Sequence, residues 1–282
     1  MNGGEDMTYQ LAREAVIKNV AIRIKNVEAM SEFYRHIIGF TLKREENNLT
    51  IFGSSAPESE LLLLEETPEG EMMYPLKKMR RLSFSVGSEA ELASLLKRAI
   101  RGNQPIQSTL EMDGFKGLII RDPEGNELEF FTQNRENKPN CATGQAIDIA
   151  AFAKEADPAL RLQDTLAVTS LLFNSDDLDR SHDFFQGQLG IKEKDYTGSL
   201  KVGAEQLTIG LHKNEDALFD EEEAASLGLD FVTIQLPDKA AITALHDHLA
   251  AGTQPFYIDK KYRILTIFDP SGVEWWFTRP KE

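Results

Sequence analysis

Val20, Ile22 and Ile24 alternate with Ala21, Arg23 and Lys25. A period of two puts the first set on one face of a half-buried strand and the second set on the other. The spacing then changes. Met30, Phe33 and Ile37 fall on one side of a helix running from Ala29 to Ile38, and Gly39 stands where a helix C-terminal glycine belongs. Three short strands follow in FTLKREEN, LTIFGS and ELLLLEE. The next segment repeats the plan. RLSFSVG is a strand, EAELASLLKRAIRGN is a helix ending at Gly102, and QSTLEMD, GLIIRD and ELEFFT are strands.

The whole pattern then occurs again. NVEAMSEFYRHIIGF pairs with DDLDRSHDFFQGQLGI, and IIRDPEGNELEFFT pairs with TIFDPSGVEWWFTRP. The offset from Gly39 to Gly190 is close to that from Asp122 to Asp269, so one long unit is duplicated with small insertions. Unit one spans 14–134 and unit two spans 164–280. Unit two supplies TSLLFNS, a helix over 177–187, strands to His212, then DFVTIQL, a helix over 238–251 and strands to Thr278. Residues 135–163 form a linker with a polar start and an Ala-rich middle, expected to carry one short helix. The loops joining the two halves of each unit, 66–78 and 214–228, fall at matching places. The fold class is α+β, with four βαβββ modules expected to form two cup-shaped domains, one per unit.

DPEG and DPSG suit a tight turn: Pro presets φ, Asp accepts a backbone N–H further on, and Gly ends the turn. In NELEFF after the first turn, Leu128 and Phe130 face one way and Glu127 and Glu129 the other. Leu128 and Phe130 are expected under the helices, and the two carboxylates on the concave side.

Paired βαβββ modules, FYRHIIGF after the first helix and DPEGNELEFF at the last strand resemble the vicinal oxygen chelate superfamily. That group includes glyoxalase I, bleomycin-resistance proteins, fosfomycin-resistance enzymes and extradiol dioxygenases, and the resemblance covers both units. It implies a cup-like sheet around a site. A divalent metal is commonly held there by His on the first strand, His or Glu on the first strand of the second module, and Glu on its last strand. On this chain those positions fall on Asn19, Arg81 and Glu129 in unit one, and on Ser170, Phe231 and Trp276 in unit two. Divalent metals take carboxylate or neutral imidazole donors, and a guanidinium supplies none. No metal and no cofactor are therefore expected. Arg81 is expected to stand in for the metal's charge and pair with Glu129, because a lone carboxylate in a concave site is costly. The competing reading has Arg81 pointing to solvent. Unit two's cup would be lined by Ser170, Leu172, Phe231, Thr233, Gln235, Glu274 and Trp276. It is either a small-molecule pocket or a cup filled by Phe231 and Trp276. Arg23 and Glu127 complete the candidate ligand-binding set.

The stretch NLTIFGSSAPESELLLLEETPEGE, with KKMRRLSFSV after it, is similar to CppA-type proteins of Gram-positive bacteria, which are two-unit chains of the same kind. That family's name carries a claim of complement-degrading proteinase activity. No protease constellation is visible here.

Composition narrows the partners. The 282 residues are 41% hydrophobic and 27% charged, as in a globular protein. The net charge of −15 argues against nucleic acid and against an anionic membrane surface. The single cysteine, Cys141, allows no intrachain disulfide, and the start has neither basic nor apolar leader regions, so a cytoplasmic location is expected. His36, His182, His246 and His248 lie on helices and are expected at the surface. His212, at a strand end, is the histidine nearest a cup. No His-Glu-x-x-His, Gly-x-Ser-x-Gly, Gly-x-Gly-x-x-Gly or P-loop pattern occurs. The run Asp220–Glu223 reads as a solvated loop. Three function classes follow. The first is a metal-free protein that binds a small molecule or a protein partner. The second is a metal-dependent lyase or extradiol-type dioxygenase with atypical ligands such as Glu127, Glu129 and His212. The third is a CppA-like proteinase.

Overall fold

The alternation around Val20 becomes strand β1 (Val16–Ile24), in which Val20, Ile22 and Ile24 are fully buried. A short helix follows, α1 (Val27–Glu32), capped by Asn26, whose side chain accepts from the Ala29 N–H. The helix widens into a π-helical turn, Phe33–Ile38, closed by Gly39 at φ +90°. The wide turn rotates the apolar stripe. Met30, Phe33, Tyr34 and Ile38 are buried, and Ile37, expected on that face, is only partly covered. Strands β2 (Thr41–Glu46), β3 (Leu49–Gly53) and β4 (Leu62–Glu66) complete the first module.

The second module is β5 (Met79–Ser85), α2 (Glu89–Arg101), β6 (Ile106–Met112), β7 (Phe115–Arg121) and β8 (Glu127–Gln133). The linker carries one short helix, α3 (Ile149–Lys154). The third module is β9 (Ala167–Ser175), α4 (Leu178–His182) with a second π-helical turn (Asp183–Gln188), β10 (Lys192–Glu193), β11 (Ser199–Val202) and β12 (Leu207–Lys213). The fourth is β13 (Gly228–Gln235), α5 (Lys239–Ala250), β14 (Phe256–Ile258), β15 (Ile264–Phe268) and β16 (Glu274–Thr278). This computed structural model describes residues 9–67, 79–112, 115–133, 145–175, 177–193, 199–202, 207–213 and 228–281. Cys141, the run Asp220–Glu223 and most of the loops joining the halves lie outside the described residues. Among the described residues no helix is long and apolar enough to cross a membrane.

The strands form two eight-stranded sheets. Sheet one has the order β14-β15-β16-β13-β1-β4-β3-β2, and sheet two the order β10-β11-β12-β9-β5-β8-β7-β6. Each sheet takes one module from each half of the chain: modules one and four make sheet one, modules two and three make sheet two. This corrects the expectation that each contiguous unit closes its own cup. The physical reason lies at the first strands. β1 pairs in parallel with β4 of its own module, which leaves its other edge bare. That edge is covered by β13 in antiparallel register, and β5 is covered by β9 in the same way.

The apolar sheet faces and the helices share one continuous core. Phe84 stacks on Phe130 at 5.1 Å within sheet two, and Trp275 of sheet one meets Phe173 of sheet two edge-on at 5.8 Å. Buried Arg98 on α2 donates to the carbonyls of Ile37 and Ile38 at the end of the π-helical turn and to that of Leu160 in the linker. Burial, then the charge of Arg161, pulls its guanidinium down to about 10, so it stays charged at neutral pH.

Both Asp-Pro turns form as expected. Gly125 and Gly272 take φ +82° and +83°, and their N–H groups donate to the carbonyls of Asp122 and Asp269. The Asp122 carboxylate also accepts from the N–H groups of Glu124 and Asn126, from Asn126 Nδ2 and from the Tyr34 hydroxyl at 2.9 Å. Asp269 accepts from the N–H groups of Ser271 and Val273 and from Trp275 Nε1.

Candidate functional site

The concave face of sheet two carries Arg81, Glu127, Glu129 and Ser170. Parallel pairing of β5 with β8 sets Arg81 opposite Glu127 and Ser83 opposite Glu129. Arg81 accordingly donates through Nε and a terminal nitrogen to Glu127 Oε2, at 3.3 and 3.1 Å. Arg121 takes the other oxygen of Glu127 at 3.0 Å, and the Ser83 hydroxyl donates to Glu129 at 2.6 Å. The expected Arg81–Glu129 pair is thus corrected to Arg81–Glu127, because the register shifts the pairing by one pleat. Burial alone would raise Glu127, but the bonds and charges of Arg121 and Arg81 outweigh it and hold the carboxyl below its usual range. Ser170 sits across the seam from Ser83.

His212 lies beside this face, with Nδ1 3.1 Å from a terminal nitrogen of Arg80. A guanidinium can only donate, so that ring nitrogen is the acceptor. The helical histidines are less uniformly exposed than expected. His36 is exposed beside Glu32, whereas His246 packs edge-on against Phe256 and Tyr262, and His248 stacks on Tyr9. His182 is half-buried, with Nδ1 lacking a partner among the described residues. Among the described residues, no three His, Cys, Asp or Glu side chains converge as metal ligands would.

The concave face of sheet one gathers Asn19, Arg23, Phe231, Glu274 and Trp276. Ser170 and Leu172, expected in the same cup as Phe231, belong to the other sheet. Ala21, Ile51 and Leu63 form an apolar floor with Phe231 against it. Trp276 stacks on Phe231 at 5.0 Å. The two rings do not seal the cup. A cleft of about 440 Å³ opens beside them, and Arg23, Glu65, Asp230, Glu274 and Phe268 line it as well. Thr233 lies one row along, between Asn19 and Trp276 in the strand register, and Gln235 lies at the end of the face, between Val16 and Thr278. Asn19 is 7% exposed, and among the described residues neither its Oδ1 nor the Trp276 indole N–H has a partner.

Glu65 and Asp230 are the residues that sequence reasoning missed. Asp230 is the extra residue of a β-bulge: Phe231 pairs with Ala21 and Leu229 with Ile22, so Asp230 has no opposite number. The bulge lets Asp230 and Phe231, neighbours in sequence, line one cleft. The one signal available for Asp230 was a carboxylate directly between Leu229 and Phe231 in a strand. Arg23 reaches Asp230 Oδ1 at 2.7 Å and Glu65 Oε2 at 3.6 Å. Burial pushes the Asp230 carboxyl up to about 7, helped by its hydrogen bond with Glu65 and by the charges of Glu65 and Glu274. Arg23 pulls the other way and does not offset this, because one guanidinium faces three carboxylates.

Residues 16–130 match the Glyoxalase/Bleomycin resistance protein/Dioxygenase superfamily, and residues 167–277 match the CppA C-terminal family. The first half of the chain thus matches the superfamily's domain, and the second half matches the CppA C-terminal domain. Solved structures share the fold. A candidate dioxygenase from Bacillus subtilis subsp. subtilis strain 168 superposes with a TM-score of 0.65 at 13% identity, covering 97% of this chain and 87% of that one. The CppA protein of Streptococcus pneumoniae TIGR4 gives 0.61 at 16% identity, covering 94% and 99%. Glyoxalase I of Zea mays gives 0.56 at 13% identity, covering 94% and 92%. At these identities the structures establish the fold alone. No curated protein sequence matches the chain significantly.

Proposed function

We propose that this protein binds a small molecule in the sheet-one cleft without metal catalysis. The observation that carries the reading is what stands at the metal-ligand positions. On sheet one these are Asn19, Phe231 and Trp276, with the last two stacked on each other. On sheet two they are Arg81, Glu129 and Ser170, and the neighbouring Glu127 has both oxygens taken by guanidinium groups. A divalent ion there would have to compete with two charge-assisted bonds and face like charges. These residues do not fit the metal that the fold commonly holds. The cleft over sheet one, by contrast, has the size and the mixed aromatic and polar lining of a small-molecule site. The test is the metal content of protein purified without a metal-affinity step, before and after incubation with Mn²⁺, Fe²⁺, Zn²⁺ and Ni²⁺. No stoichiometric metal is expected. One tightly held ion per chain would overturn the reading and favour a lyase or dioxygenase.

The second reading is a CppA-like proteinase, supported by the CppA C-terminal match together with the proteinase claim that the family's name carries. It predicts cleavage of a protein substrate that persists through further purification and is lost on mutation of a single named nucleophile.

A further inference from the structure

We infer that the sheet-one cleft takes an organic cation, a protonated amine carried on a flat apolar body. The inference rests on the metal-free binding reading and adds the chemical class of ligand. It starts from the charges that face the cleft. Arg23 on β1 is the cationic group of the described lining, and it is answered at 2.7 Å by Asp230. Glu65 on β4 and Glu274 on β16 bring the carboxylates to three. Glu65 has a second partner in Asn48 Nδ2 at 3.1 Å. The Glu274 carboxylate forms no hydrogen bond or ion pair among the described residues, although the residue stands in register with Phe231 on the face of the cleft. A half-buried carboxylate is costly until a cation or donor reaches it. An anionic ligand would find Arg23 already engaged and two or three negative charges around it.

The apolar part of the cleft points the same way. The Phe231–Trp276 stack presents ring faces beside the carboxylates, and Phe268 at the rim is 53% exposed. Aromatic faces carry partial negative charge and attract a cation. In the next row of the same strand face stands Asn19, more than nine-tenths buried with an amide oxygen that has no donor. An ammonium supplies donors and no acceptor, which is what Glu274 and Asn19 lack. The unpartnered Trp276 N–H would take an acceptor atom on the body of the ligand.

A proton already occupies part of this role. Asp230, hydrogen-bonded to Glu65, holds one up to about neutral pH. An entering cation favours its release, so binding tightens as pH rises. The groups facing Asp230 are Arg23, Glu65 and Glu274, and the remaining described lining is uncharged.

The experiment is calorimetric titration of the full chain with three probes of one shape: tryptamine, its neutral alcohol tryptophol, and indole-3-acetate. Tryptamine is expected to bind at least about tenfold tighter than tryptophol, with indole-3-acetate weaker than both. From about pH 6 to about pH 8 tryptamine should gain several-fold in affinity while tryptophol stays level. Glu274→Gln should bring tryptamine down towards tryptophol, and Phe231→Ala should weaken both. Equal or tighter binding of tryptophol or indole-3-acetate would overturn the cation inference and leave a metal-free binding cleft standing. Failure of all three probes up to about 1 mM would overturn it as well. Selective tryptamine binding by a protein that also holds stoichiometric metal would keep the inference and remove the metal-free reading.

Discussion

Asp230→Asn isolates the electrostatics of the cleft. In the folded protein the Asp230 carboxyl stands at about 7, against an ordinary value of 3.8. Between those limits the folded state keeps a proton that the unfolded chain has released. Stability contributed by this group is therefore full below about pH 4 and is lost as pH rises towards about 7. At about 1.4 kcal/mol for each tenfold in proton concentration, the loss has an upper bound of about 4 kcal/mol. The side chain is 18% exposed, and Arg23 loses a partner in the variant, so about 2–3 kcal/mol is the working figure. Asn has the shape of the neutral carboxyl, and its Nδ2 can donate to Glu65 as the protonated acid does. Urea unfolding of both proteins at about pH 4 and about pH 8 gives the readout. The variant should match the parent at the lower pH and gain about 1 M in urea midpoint at the higher. An equal effect at both pH values, or a less stable variant at the higher one, would refute the reasoning.

Four further outcomes follow from other parts of the fold. Arg98→Met should cost about 3 kcal/mol in urea unfolding, because the carbonyls of Ile37, Ile38 and Leu160 lose their buried donor. Gly125→Ala should lower stability by about 1 kcal/mol, since its φ of +82° is the whole obstacle and nothing lies within 4 Å of the new Cβ. Gly190→Ala should cost clearly more in the same urea unfolding, because its Cβ would stand 2.7 Å from the Tyr9 carbonyl oxygen and 2.8 Å from Gln10 Cα. Glu127→Gln should destabilise at neutral pH, as Arg81 and Arg121 lose their charged acceptor. Because Glu127 titrates below its usual range, that difference is present above the ordinary carboxyl value and fades as pH falls through the folded one. A gap that persists unchanged in acid would contradict the ion-pair account.

Much of the fold was readable along the chain because it is local. The period-two face of Val20, Ile22 and Ile24 became the buried face of β1, and the Asp-Pro turns closed on glycines with positive φ. Four successive modules follow from such patterns alone, each within a few tens of residues. The helix at 27–38 was also readable, but its π-helical turn was not, since the wider turn changes which of Ile37 and Ile38 is buried without changing composition.

The site was readable in part. Asn19, Phe231 and Trp276 were marked by the resemblance and joined by Arg23 and Glu274 in the candidate set, and the five do share a face. Which other residues join them was not a local matter. By the sequence alone, β1 could have found its antiparallel partner in its own half of the chain, and bare strand edges are alike in hydrogen-bonding capacity. Packing of the whole core set β1 against β13 and β5 against β9. That pairing separated Ser170 from Phe231. The register of β5 on β8 gave Arg81 to Glu127 rather than Glu129, and one bulged residue turned Asp230 towards Arg23. Periodicity determines which face a side chain takes, whereas long-range register determines what it meets there.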